Sequence, residues 1–143
     1  MRQISIGALL ALSIPAYAQV QTPEMDKILT TASQSLAAMQ FDSNSPVTVK
    51  GRVSTVVWPQ GTSGMVVIEA DQGGEKYAFS TARVPDMAKQ GFTRYSLQPG
   101  AEVTVTGVLA ANKAKIGPGF TAARADLITK ADGSSAFNRV LLP

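Results

Sequence analysis

Neither cysteine nor histidine occurs among the 143 residues. Without cysteine there can be no disulfide, which small exported domains commonly use for stability. An apolar core has to hold the fold instead. With both residue types missing, the usual zinc and copper ligands are gone. Ser-His-Asp and Cys-His catalysis are excluded, as is the commonest general base near neutral pH. No metal and no cofactor is expected, and any chemistry is left to Asp, Glu, Lys, Arg, Tyr, Ser and Thr. Aromatic residues are few: one Trp, three Tyr and five Phe. Charge of one sign is barely in excess, with 13 basic against 10 acidic side chains spread along the chain. That is not the concentrated basic stripe of a nucleic-acid binder, so no nucleic-acid partner is expected. No apolar run reaches the ~20 residues that a membrane-spanning helix needs, so the chain is not expected to be membrane-embedded.

What is present starts with an export pattern. Met1-Arg2-Gln3 is a short basic start, Ile4 to Ile14 is apolar with small residues, and Pro15 leads into Ala16-Tyr17-Ala18. This reads as a secretory signal peptide over residues 1–18, cleaved after Ala18. There is no cysteine to carry a lipid anchor. The expected location is therefore periplasmic or secreted, with Gln19 at the mature N-terminus.

The remaining chain divides into an N-terminal helix and linker over 19–42 and a β domain over 43–143. Thr22-Pro23-Glu24 combines an N-cap, a proline at the first helical position and an acid in the first turn. Met25, Ile28, Leu29, Ala32, Leu36 and Met39 then fall on one helical face. The spacing predicts an amphipathic helix over 23–39, whose stripe packs on the following domain or docks on a partner. Asp42 to Pro46 reads as a linker or turn. From Val47 the period becomes two: Val47, Val49, Val53, Thr55 and Val57 share a face. Gly51 lies on that face, where a missing side chain permits a bend or a close approach.

Further strands are predicted over 65–70, 76–80, 101–109 and 122–129, with a final extended piece to Leu142. A short helix over 85–90 separates the third and fourth strands, and residues 112–119 read as a loop. This order predicts a mainly β fold, a small OB-like β-barrel of five to six strands. A six-stranded sandwich is the competing architecture.

Several stretches carry a family resemblance. They are Val47-Thr48-Val49-Lys50-Gly51-Arg52-Val53, then Gly91-Phe92-Thr93-Arg94 running into Leu97-Gln98-Pro99-Gly100-Ala101-Glu102-Val103-Thr104-Val105-Thr106-Gly107, and Ala131-Asp132-Gly133-Ser134. Through them the chain resembles a family of small secreted bacterial domains of unknown function. Members often carry His-His-Ser before a Phe-Asp, and Asn-Pro-His after the first strand. Here Ser33-Gln34-Ser35 and Trp58-Pro59-Gln60 stand in those places. The resemblance implies the fold and export, and it supplies no active site. At the level of fold the chain is also similar to small periplasmic OB-fold proteins linked to stress tolerance.

In OB-like barrels the loops after strands one and four flank the binding face. That selects Trp58 in the first loop, and Lys113, Lys115 and Phe120 in and beside the second. Two cations there could hold an anionic group, and Phe120 could stack on a ring. Arg94, with Arg83 and Tyr95, brackets the short helix and could grip a carboxylate or phosphate. Tyr77, beside Phe79 on the third strand, completes the candidate binding set. Lys50 and Arg52 read as cross-strand partners of acids or threonines. Glu69 and Asp71 are neighbours on one strand face but lie in no catalytic motif. The function expected is an exported, non-catalytic binding module of the bacterial periplasm whose partner is another envelope protein or a small ligand. A small-molecule carrier or sensor is the second reading. An enzyme working through a carboxylate, Lys or Tyr is the third.

Overall fold

The computed structural model describes residues 22–59 and 63–142. The expected signal peptide, the Ala18 cleavage point and Gln60 lie outside the described residues.

Helix α1 spans Pro23–Ala37, and the Thr22 hydroxyl accepts a hydrogen bond from the Met25 N–H at 3.1 Å. Its apolar stripe is used unevenly. Leu29, Ala32 and Leu36 are buried, whereas Met25 and Ile28 remain 38% and 46% exposed. The helix therefore docks from Leu29 onward, and residues 23–28 remain exposed.

Seven strands follow among the described residues: β1 Phe41–Val57, β2 Ser63–Ala70, β3 Lys76–Arg83, β4 Glu102–Ala110, β5 Lys115–Ile116, β6 Phe120–Lys130 and β7 Ser135–Asn138. A short helix α2, Val84–Lys89, joins β3 to β4 and buries Met87. The sheet runs β3-β2-β1-β4-β6-β5, with β7 also on β6. A parallel pairing of β3 with β6, Tyr77 opposite Thr121, closes five of the strands into a ring. The fold is mainly β, as the alternation in the sequence requires.

β1 is long because it serves two partners. Its first part pairs with β4 and its last part with β2, and Gly51 and Arg52 pair with both. A Cβ on Gly51 would lie 2.1 Å from the Glu69 carbonyl oxygen. The missing side chain thus admits the close approach of β2. Arg52 reaches across to Glu102 at 2.9 Å, the cross-strand role its outward position implies.

Two departures from simple alternation have local causes. Asp42–Pro46 do form a turn-like irregularity, because the Asp42 carboxylate accepts from the Asn44 N–H and the Ser45 hydroxyl. Pairing with β4 nevertheless resumes on both sides of it, so strand β1 starts at Phe41. A register shift between Val53 and Thr55 then changes the phase. Val56 and Trp58, rather than Val57, join the interior cluster of Val53, Ile68, Phe79, Val105, Ile128 and Phe137.

Val57 faces a second apolar cluster, beneath α1. There Leu29, Ala32 and Leu36 meet Met65 and Val67 of β2, Ala78 of β3, Ile116 of β5 and Ala122 of β6. β2 is therefore buried on both faces, which accounts for its unbroken Met65-Val66-Val67-Ile68 run.

Candidate functional site

β1 ends at Val57, and the next residue, Trp58, lays its ring on Phe92 at 5.6 Å between centroids and 10° between planes. Phe92 is wholly enclosed and meets Phe137 edge-on at 6.0 Å. Trp58 is consequently half in the core and half outside it. Its outer part joins Val56, Val57 and Pro59 along a cleft of about 360 Å³, faced by Asp26, Leu29 and Thr30 of α1 and rimmed by Arg94. The Arg94 guanidinium lies 5.9 Å from the centre of the exposed Tyr95 ring. Neither Asp26 nor Arg94 forms an ion pair with another described residue. The cleft thus offers an aromatic and aliphatic wall with a cation and an anion that form no ion pair with another described residue.

A second group forms where β3 meets β6. The Tyr77 hydroxyl donates to Glu75 Oε1 at 3.3 Å. The Thr121 hydroxyl donates to the other carboxylate oxygen of Glu75. Lys115 Nζ donates to Thr121 Oγ1 at 2.8 Å and lies 3.5 Å from Glu75. The Thr121 hydroxyl, aided by Lys115 and Tyr77, holds the Glu75 carboxyl below its ordinary pKa of 4.5. Burial, and then the Glu75 charge, push the Tyr77 phenol upward. Lys115 is thereby engaged as a strut between strands.

Because the Glu75 pKa is lowered on folding, its contribution is present above the unfolded value and lost as pH falls through the folded one. In urea titrations between pH 3 and 6, Glu75→Gln is expected to be less stable than the parent by no more than about 1 kcal/mol, since the pair is half exposed. The difference should be flat above the ordinary carboxyl range and shrink as pH falls below it. A difference that grows as pH falls would refute the assignment.

The six residues selected from sequence therefore separate into groups. Trp58 and Arg94 share the cleft, and Tyr77 and Lys115 share the Glu75 network. Phe120 packs against the cluster beneath α1, pairing in register with Ile116. Lys113 sits exposed in a 3-10 turn, Ala111–Lys113, with φ of 52°. Sequence reasoning missed the helix side of the cleft, Asp26 and Thr30. They lie on the polar face of α1, and only the packing of the stripe brings them opposite Trp58. Among the described residues no group of three or more acidic, His or Cys side chains is placed to hold a metal. No helix there is long and apolar enough to cross a membrane.

The model of a family of unknown function, DUF6152, matches residues 25–118. The chain belongs to DUF6152. No curated protein matches it. The DUF6152 region takes in both walls of the cleft, since it runs from α1 to β5.

Proposed function

We propose that this DUF6152 chain is an exported, non-catalytic binding module of the bacterial periplasm, and that its strand ring is an OB-like barrel. The barrel reading is supported by the ring order β1-β2-β3-β6-β4, with a helix between β3 and β4. One observation carries the binding reading: residues from β1, from the segment after α2 and from α1 converge on one cleft around Trp58 and Arg94. A half-exposed Trp backed by a rigid Phe is a strong anchor for a partner. Arg94 and Asp26, which form no ion pair with another described residue, would fix the orientation of a segment of an envelope protein.

Trp58→Ala would remove the stacking on Phe92 and confuse stability with binding, so Arg94 is the residue to change. A photocrosslinker at position 95 is expected to capture one dominant partner in the native envelope. Arg94→Glu should lower that capture about tenfold with an unchanged melting temperature. Capture unaffected by Arg94→Glu would remove the cleft from the interface. Intact mass of the exported protein should begin at Gln19, and an unprocessed mass would remove export.

A further inference from the structure

A second depression, of about 530 Å³, opens where the β2–β3 turn leans on β1, and it shares no lining residue with the Trp58 cleft. Its walls are tied down by backbone. The Asp71 N–H donates to the Lys50 carbonyl at 2.9 Å, and the Ala70 N–H donates to the Glu75 carbonyl at 2.9 Å. Tyr77 forms one side. Its ring is stacked on the fully buried Phe79 at 5.8 Å and 17°, and its hydroxyl is held by Glu75. A tyrosine fixed at both its ring and its hydroxyl is a preorganised platform that loses little freedom when a ligand lands on it.

The other polar lining side chains are uncommitted. Thr48, Lys50, Asp71 and Gln72 make no side-chain hydrogen bond or ion pair with another described residue. Together they present a hydroxyl, an ammonium, a carboxylate and a carboxamide, a balanced set of donors and acceptors. The charges of Lys50 and Asp71 cancel, so the site has no net attraction for an anion. It is polar rather than greasy, which disfavours an apolar ligand. A sugar ring meets these conditions together. Each of its hydroxyls both donates and accepts, and its C–H face packs on an aromatic ring.

We infer that the depression between Tyr77, Lys50 and the Asp71–Gln72 turn is a binding site for a neutral carbohydrate. The aromatic ring carries one sugar face, and Thr48, Lys50, Asp71 and Gln72 bond its hydroxyls. The volume lies within the range of roughly 300–1,000 Å³ typical of small-molecule sites. A few hydrogen bonds in an open cleft correspond to a dissociation constant on the order of 1 mM.

The test is an amide-resolved NMR titration of the full chain with cellobiose, maltose and N,N′-diacetylchitobiose, and separately with inorganic phosphate. At least one disaccharide is expected to give saturable shifts centred on residues 48–50, 70–72 and 77. Tyr77→Phe keeps the ring and should bind within about threefold of the parent, whereas Tyr77→Ala should lose about tenfold or more. Should Tyr77→Ala fail to fold, Asp71→Ala and Gln72→Ala decide the matter. Both lie in an exposed turn, and each should weaken binding by roughly three- to tenfold. No saturable shift with any of the three sugars at about 10 mM, a stronger response to phosphate, or undiminished binding by both turn variants would overturn the assignment. Arg94→Glu, which alters the other cleft, should leave the titration unchanged.

Discussion

Replacing Gly107 by alanine is expected to cost about 3 kcal/mol or more and to lower the melting temperature by roughly 10 °C. Gly107 sits in β4 between Val47 of β1 and Ala125 of β6, where the β4–β6 register shifts. A Cβ there would stand 1.8 Å from the Arg124 carbonyl oxygen and 2.9 Å from its carbon. Both are backbone atoms, so no side chain can rotate away. β6 would have to retreat, yet its other edge is bonded to β3. The ring spreads the strain instead of releasing it. Thr106→Ala, one residue away and on the exposed side, serves as the control and should change stability by less than about 0.5 kcal/mol. Thermal unfolding of the three proteins decides the matter. A Gly107→Ala protein melting within about 2 °C of the parent would mean that β4 and β6 are not so closely apposed.

Phe92→Ala is expected to cost about 3–5 kcal/mol, as deleting an enclosed aromatic side chain does. Two ring contacts go with it, each contributing about 0.5–1.5 kcal/mol beyond simple burial. Trp58, the one Trp of the chain, loses the surface on which it lies. Its emission should move to longer wavelength under conditions where the variant is still folded. The proposed partner cleft should weaken at the same time, because Trp58 is its wall and Arg94 follows Phe92 by two residues. Urea denaturation followed by Trp fluorescence reads stability and environment together. An unshifted emission maximum with a loss below about 1 kcal/mol would show that Phe92 does not hold Trp58.

The sequence pattern was most informative where one face meets water and the other meets the core. α1 is announced by Thr22-Pro23-Glu24, and Val47, Val49 and Val53 mark the inner face of β1. The β2 run could be read as a strand, but not as one covered on both sides, since nothing local says that α1 lies over it. The phase change at Thr55 was also hidden, because a bulge adds a residue without any marker in composition. It decides which of Val56 and Val57 faces inward, and therefore where Trp58 points. Residues 112–119 looked like a loop because β5 is two residues long, too short to alternate. Lys115 drew attention as a free cation, yet its partner Glu75 lies forty residues earlier in the sequence. Such a pairing depends on β3 lying beside β6, which no short window of sequence contains.

That same β3–β6 junction governs the order in which the molecule can assemble. β1 pairs antiparallel with β2 and with β4, and β2 with β3, but the ring is closed only when β6 pairs with both β3 and β4. Until Lys130 has been synthesised, β3 and β4 each keep an unpaired edge, and open edges of this kind invite pairing with other chains. The segment matched by the family model, residues 25–118, stops just short of Phe120. Cut out alone, it would carry both edges permanently exposed. The matched segment therefore lacks the strand that closes the ring.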